Sequence, residues 1–86
     1  MFRVQKKDGT LEDFDSIKLT SGITKAGASE EEAQKVLSVV EAWLPTVAVD
    51  GVVKSFEIKN KVLESLNETN PAAVTNFESY KKAQEN

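Results

Sequence analysis

The 86-residue sequence predicts a single α+β domain in which a small N-terminal β-hairpin caps a four-helix bundle, with a third strand as an open alternative. Two short alternating segments flank Asp8-Gly9, a dipeptide typical of hairpin turns. Four later stretches begin with a polar cap residue and continue with apolar residues at helical spacing. These cap residues are Asp15, Ser29, Ser55 and Asn70. No repeat, low-complexity tract or linker divides the chain, so residues 1–86 are expected to form one unit.

The hairpin is the first predicted element. Phe2 and Val4 alternate with polar neighbours, which is typical of a half-buried strand, and residues 10–13 form the expected partner strand. Asp and Gly tolerate positive φ, so Asp8-Gly9 predicts a two-residue turn between the strands. We expect this turn to bring Glu12 back beside the lysines that precede it.

The first helix is expected to begin after Asp15, because that carboxylate can accept hydrogen bonds from the free amides of the first turn. The helix should end near Gly27. The side chains expected on its inner face are Ile17, Thr20, Ile23 and Thr24. Lys18 lies one turn after the cap, so it should approach the hairpin and the lysines Lys6 and Lys7.

The second helix has the strongest start signal in the chain. Ser29 is followed three residues later by Glu32, which forms a capping box in which both side chains bond to free amides. The acidic run at 30–32 complements the helix dipole, so it requires no metal. Pro45 is expected to stop the helix. The apolar residues at helical spacing are Ala33, Val36, Leu37, Val40, Trp43 and Leu44.

Two more helices complete the prediction. Asp50-Gly51 supplies a turn before Val52-Val53, where the third strand would lie. Ser55 is the expected N-cap of the third helix, which should end around Asn67. Asn70-Pro71 then starts the fourth helix with a cap and a proline at its first position. The residues expected to face inward are Ile58, Val62 and Leu66 in the third helix and Val74, Phe77 and Tyr80 in the fourth.

Composition excludes several classes of function. The chain has no cysteine and no histidine, which removes disulfides, thiolate zinc sites and the commonest general base, so we expect no catalytic and no metal site. Its net charge of -3 disfavours direct binding to nucleic acid. It has no long apolar run and no secretory leader pattern, so we expect neither a membrane span nor export, and a cytoplasmic location.

The segment from Val4 to Leu19 resembles the start of an ATP-cone, the regulatory domain of many ribonucleotide reductase large subunits and of the bacterial repressor of their genes. The family pattern is Val-x-Lys-Arg-Asp-Gly, two further residues, Glu, then Phe-Asp-x-x-Lys-Ile. The matching residues are Val4, Lys6, Lys7, Asp8, Gly9, Glu12, Phe14, Asp15, Lys18 and Leu19. Lysine replaces arginine at Lys7 and leucine replaces isoleucine at Leu19. The resemblance continues through Val53, Ser55 and Ile58 and a closing aromatic helix from Phe77 to Lys82.

The resemblance implies a role for each of ten residues. Lys6 and Lys7 would contact phosphates, with Lys59 pointing at them. Glu12 and Asp15 would accept from the adenine amino group or position the base. The remaining members are Lys18, which would brace the site, Ser55, which would supply a polar contact, and Val4, Leu19 and Ile58, which would enclose the base. Lys81 and Lys82 are further candidates for phosphate contacts.

The function implied by the resemblance is allosteric. ATP or dATP, with Mg²⁺, would bind and alter the activity or oligomeric state of an attached or associated ribonucleotide reductase or regulator, without catalysis by this domain. Its partners would be the nucleotide and a reductase catalytic domain or a second copy of itself. Each residue taken singly also fits an ordinary structural role, but the ordered spacing favours a nucleotide site. The alternative is a protein-interaction adaptor with a degenerate nucleotide site, in which an exposed Trp43 would anchor the interface.

Overall fold

The computed structural model describes the backbone of residues 2–85 and the side chains of residues 2–79. A three-stranded sheet and four helices make up the described chain, which confirms the predicted α+β class. In chain order the elements are β1 Arg3–Gln5, β2 Leu11–Asp13, α1 Ser16–Lys25, α2 Glu30–Val47, β3 Val52–Lys54, α3 Ser55–Thr69 and α4 Pro71–Glu85.

The third strand, an open alternative in the sequence, is present. Strand β1 lies at the centre of the sheet, antiparallel to β2 and parallel to β3. Val4 is paired with Glu12 on one side and with Val53 on the other, so all three residues share a face of the sheet. Val53 is buried and Val4 packs against the core, so this face is directed at the helices.

The first turn is longer than predicted. Lys6 pairs with Thr10 through a backbone hydrogen bond of 2.9 Å, which leaves Lys7, Asp8 and Gly9 as a three-residue loop. Gly9 has a φ of 88°, whereas Asp8 does not have a positive φ, as a two-residue type I′ turn would require. The prediction of a two-residue turn at Asp8-Gly9 is therefore wrong.

Helix α1 begins after Asp15 and ends before Gly27, whose φ is 108°, as predicted. Its inner face is rotated from the predicted one. Ile23 is buried as expected, but Ile17 is 75% exposed and Thr24 is also exposed. The Thr24 hydroxyl donates to the Ser21 carbonyl at 3.0 Å, so it is satisfied within its own helix. The residues that the helix buries are Leu19, Gly22 and Ile23.

Helix α2 starts with the predicted capping box and continues beyond its proline. Pro45 lies inside the helix, so the prediction that it stops the helix is wrong. A proline near the last turn removes one backbone hydrogen bond. Burial of Leu44 and packing of Val47 against the core favour the extra turn, and Ala48 N still donates to Leu44 O at 3.0 Å.

Helix α3 differs from the prediction at both of its ends, whereas α4 begins where it was expected. Lys54 occupies the N-cap position of α3 and makes no side-chain cap hydrogen bond, so Ser55 is the first helical residue and not the predicted cap. The helix ends at Thr69, two residues beyond the expected Asn67. Helix α4 begins at Pro71 as predicted.

The core lies between the helices and the inner face of the sheet. Its largest fully buried side chains are Phe77, Ile23, Leu44, Leu66, Val36, Val40, Val53 and Val62. Phe77 is inward as predicted and Val74 is half-buried, while the Tyr80 side chain lies outside the described residues. Through residue 85, none of the helices is long and apolar enough to cross a membrane.

Candidate functional site

One pocket of about 440 Å³ opens between the hairpin and helices α1 and α3. It contains all ten residues that the sequence assigned to a site, although these come from two separated segments of the chain, residues 4–19 and 55–59. Its lining residues are Val4, Lys6, Lys7, Asp8, Glu12, Asp13, Phe14, Asp15, Lys18, Leu19, Ser55, Ile58, Lys59, Val62 and Phe77.

The base of the pocket is apolar, and we refer to Leu19, Ile58, Val62 and Phe77 as the helical floor. Val62 and Phe77 are fully buried, while Leu19 and Ile58 are 6% and 7% exposed. The four side chains come from α1, α3 and α4, so core packing fixes the shape of the floor. Such a surface offers an apolar slot for a flat ring.

The opposite side is charged, and we refer to Lys6, Lys7, Asp8 and Glu12 as the hairpin wall. Lys6 Nζ lies 3.0 Å from Glu12 Oε1, with both side chains about half exposed. Asp8 Oδ1 accepts from Thr10 N at 3.0 Å and from Thr10 Oγ1 at 2.6 Å, which closes the loop on itself. The sequence prediction that the turn brings Glu12 back beside the lysines is confirmed for Lys6.

Hydrogen bonds lower the pKa of both carboxyl groups in the hairpin wall. The hydrogen bond from Lys6 holds the pKa of Glu12 below its ordinary value, and the positive charges of Lys6 and Lys18 lower it further. The Thr10 hydroxyl and amide lower the pKa of Asp8. Both groups therefore stay ionised at neutral pH.

Asp15 connects the hairpin wall to the helical floor. Its Oδ1 accepts from Ile17 N at 3.0 Å and from Lys18 N at 3.2 Å, which confirms the predicted N-cap. The cap fixes the start of α1, so that Lys18 lies at the rim and Leu19 in the floor. One carboxylate thus positions a cationic and an apolar lining residue.

The start of α3 supplies the third side of the pocket. Strand β3 ends at Lys54 and the helix begins at the next residue, so Ser55 reaches the pocket from the first turn. Ile58 and Lys59 follow within about one turn, with Ile58 buried and Lys59 half-buried. This short junction places an apolar and a cationic group side by side.

The charges that line the pocket balance, because four lysines face four carboxylates. Each carboxylate has its own partner: Asp8 bonds to Thr10, Asp15 caps α1, and Asp13 lies 3.9 Å from Arg3. Glu12 pairs with Lys6, which is itself a lysine of the pocket. The availability of Lys6 for an anionic ligand therefore depends on Glu12.

Sequence reasoning left five lining residues out of the site. Three of them, Asp8, Asp13 and Phe14, lie within the N-terminal segment that resembles the family. Their positions in that segment could have identified them as lining residues. Val62 follows Ile58 by four residues, so helical periodicity places both on one face. Phe77 was predicted only as core, because its place beneath the pocket depends on how α4 packs across the bundle.

The described side chains include no group of three or more acidic, histidine or cysteine residues positioned to hold a metal ion. The side chains of Lys81 and Lys82, which the sequence offered as further phosphate contacts, lie outside the described residues.

Comparison with protein families gives one match for this chain. Residues 2–86 match the model of the ATP cone domain family, so essentially the whole chain is covered. The chain belongs to the ATP cone domain family, as the sequence resemblance indicated, and this membership implies a regulatory, nucleotide-binding role. No curated protein matches the sequence closely enough to count as a relative.

Proposed function

We propose that this domain binds ATP or dATP in the pocket between the hairpin and helices α1 and α3. The observation that carries the proposal is the convergence of all ten predicted residues on that one pocket. Its volume of about 440 Å³ lies within the range of about 300–1,000 Å³ common for small-molecule sites. The domain is proposed to act in the cytoplasm.

The base would lie against the helical floor. Leu19 and Ile58 present apolar surface at the pocket, and Val4 adds a third apolar side chain from β1. Glu12 and Asp15 line the same pocket, and a carboxylate there can accept from the exocyclic amino group of adenine. An apolar slot with few polar groups at its edge is typical of sites for flat heterocycles.

The phosphates would lie along the lysines. Lys6 and Lys7 approach from the hairpin, Lys18 from α1 and Lys59 from α3. Ammonium groups from different elements suit a flexible polyphosphate, because each acts as a mobile point charge. Mg²⁺ would enter with the phosphates, since it is bound mainly by phosphate oxygens and water, and we assign it no protein ligand.

The regulatory output would be a change in an attached or associated ribonucleotide reductase or regulator, either in its activity or in its oligomeric state. Such control requires a ligand to bind one state more tightly than another, with coupling energies of about 1–3 kcal/mol. The adaptor alternative gains no specific support, because Trp43 is half-buried and packs against the core.

The test compares two lysines that each pair with one glutamate. Lys6 pairs with Glu12 in the pocket, whereas Lys61 pairs with Glu64 on α3 at 3.3 Å, and neither residue of that second pair lines the pocket. Calorimetric titration with ATP and with dATP, each with Mg²⁺, should show binding to the unmodified domain. Lys6→Ala should weaken it about tenfold, as expected for one hydrogen bond to a charged group.

The control variant Lys61→Ala should bind within about twofold of the unmodified domain, because neither Lys61 nor Glu64 lines the pocket. Equal losses in the two variants would refute the assignment of the phosphates to this pocket. No heat of binding for either nucleotide would refute the proposed ligand itself.

A further inference from the structure

We propose that Glu12 makes the pocket selective for nucleotides over bare polyphosphate, by occupying Lys6 until a ligand supplies both phosphates and a base. This inference rests on the proposed nucleotide site and assigns a second role to one of its residues. It follows from the lysine–glutamate pair, by which we mean the 3.0 Å contact between Lys6 Nζ and Glu12 Oε1.

The hairpin builds this pair in advance of any ligand. Val4 is opposite Glu12 and Lys6 is opposite Thr10, so Lys6 and Glu12 project from the same face of adjacent strands. The loop between them is closed by Gly9 N donating to Lys6 O at 2.9 Å and by the bonds from Thr10 to Asp8. Backbone geometry therefore places the two residues side by side, within reach of the 3.0 Å contact.

Glu12 also interacts with a second lysine of the pocket. The charge of Lys18, on the first turn of α1, stabilises the ionised Glu12 carboxylate. One carboxylate is thus a counter-ion for cations on two elements. A polyphosphate that approaches these lysines has to displace Glu12 from Lys6 and then lies close to its negative charge, and both effects oppose binding.

A nucleotide can offset this penalty whereas a bare polyphosphate cannot. When phosphate oxygens bind Lys6, the Glu12 carboxylate is released and needs a new hydrogen-bond donor. The exocyclic amino group of an adenine in the slot provides one, because Glu12 and the apolar residues line the same pocket. Release of the lysine–glutamate pair therefore favours ligands that carry a base together with phosphates.

The experiment uses Glu12→Gln, which keeps the shape of the side chain and removes its charge. The matched control is Glu64→Gln, which makes the same change in the pair that Glu64 forms with Lys61 outside the pocket. Tripolyphosphate and ATP, each with Mg²⁺, are titrated into the unmodified domain and both variants, with affinities taken from calorimetry.

We expect Glu12→Gln to bind tripolyphosphate about two- to fivefold more tightly than the unmodified domain, the range expected for release of an exposed ion pair. Glu64→Gln should change it by less than about 1.5-fold, because its charge lies outside the site. The ratio of ATP affinity to tripolyphosphate affinity should fall in Glu12→Gln alone. Adding Lys6→Ala to Glu12→Gln should abolish the gain for tripolyphosphate.

Two results would overturn the inference. One is an unchanged or weakened affinity of Glu12→Gln for tripolyphosphate, and the other is an equal gain in Glu64→Gln. Failure of the proposed function has a different signature, which is the absence of ATP binding to the unmodified domain. In that case the inferred selectivity falls as well, and a gain for tripolyphosphate in Glu12→Gln shows only that Glu12 is the counter-ion of Lys6.

Discussion

The helical floor and the hairpin wall face each other across one pocket but are held by different forces. The floor consists of side chains at most 7% exposed, so packing in the core fixes their positions. The wall consists of side chains in the solvent, with Lys6 and Glu12 50% and 45% exposed. Their positions are fixed by the hydrogen bonds of a short hairpin.

The difference between these two regions separates stability from recognition. Burial of apolar area stabilises a fold by a few kcal/mol per large side chain, whereas exposed ion pairs contribute about 0–1 kcal/mol. Changes in the floor should therefore lower the stability of the domain, and changes in the wall should alter ligand affinity while the fold remains intact. Each prediction below tests one part of this contrast.

The largest effect is expected from Phe77→Ala. Loss of a fully buried phenylalanine should lower the free energy of unfolding by about 3–5 kcal/mol, because the cavity is filled only in part. Urea denaturation measures this loss, with Phe77→Leu as a milder variant that keeps the domain folded. The control is Phe56→Ala, since Phe56 is 52% exposed. Equal losses for the two alanine variants would show that the floor is not held by core packing.

A smaller effect is expected at the boundary between the two regions, where Asp15 caps α1. Asp15→Ala should lower the free energy of unfolding by about 0.5–2 kcal/mol, because two amides of the first turn lose their acceptor. Asp15→Ser should restore most of that stability, since a hydroxyl caps nearly as well. If the serine variant is as unstable as the alanine variant, the cap is not the reason that Asp15 stabilises the fold.

The next effect is confined to the wall. Lys6→Ala should change the free energy of unfolding by no more than about 0.5 kcal/mol, because the residue lies at the surface. The same variant should raise the pKa of Glu12 toward its ordinary value of 4.5, since its largest depressing contact is removed. Carboxyl carbon shifts followed by NMR across the acid range measure this change. A pKa of Glu12 that is the same in both proteins would contradict the lysine–glutamate pair.

The smallest expected effect is a pH dependence of stability caused by Glu32, a residue outside the hairpin wall. Glu32 has a lowered pKa, caused first by the Ser29 amide and then by the Asn70 side chain, which donates to Glu32 Oε1 at 3.1 Å. A lowered pKa in the folded state means that ionised Glu32 stabilises the fold above its ordinary value of 4.5, and that this stabilisation is lost as pH falls through the lowered pKa.

Glu32→Gln should therefore reduce the loss of stability as pH falls from neutral through the ordinary value of 4.5 and then the lowered pKa, and it should lower the urea midpoint at neutral pH. Glu64→Gln is the control, because Glu64 is exposed and has one lysine partner. An identical pH profile in the two variants would argue against the stabilising role given to ionised Glu32 as the acceptor from Ser29 and Asn70.

The wall could be predicted from sequence because it is local. Residues from Val4 to Lys18 lie within fifteen positions of one another, and turn and cap chemistry place them together. The details of such turns still depend on context. Asp50-Gly51 forms a tight turn with φ values of 53° and 78°, while the same dipeptide at Asp8-Gly9 closes a three-residue loop. Strand register decides between these outcomes, and dipeptide preference does not encode it.

The floor was predicted only in part, because it is assembled by tertiary packing. Phe77 and Val62 were expected in the core, but their place beneath the pocket depends on how α3 and α4 pack together. The inner face of α1 shows the same limit. Leu19 and Gly22 are buried there in place of the predicted Ile17, since contact with the other helices decides which face is covered.

The central claim is that a nucleoside triphosphate binds between these two regions. Amide chemical shifts of the domain, recorded during titration with ATP and Mg²⁺, test it most directly. The expected result is a set of saturable shifts in residues 4–19 and 55–59, from both the wall and the floor, with the residues of α2, which contributes no lining residue to the pocket, little changed. Unchanged shifts in those two segments at millimolar ATP would contradict the claim.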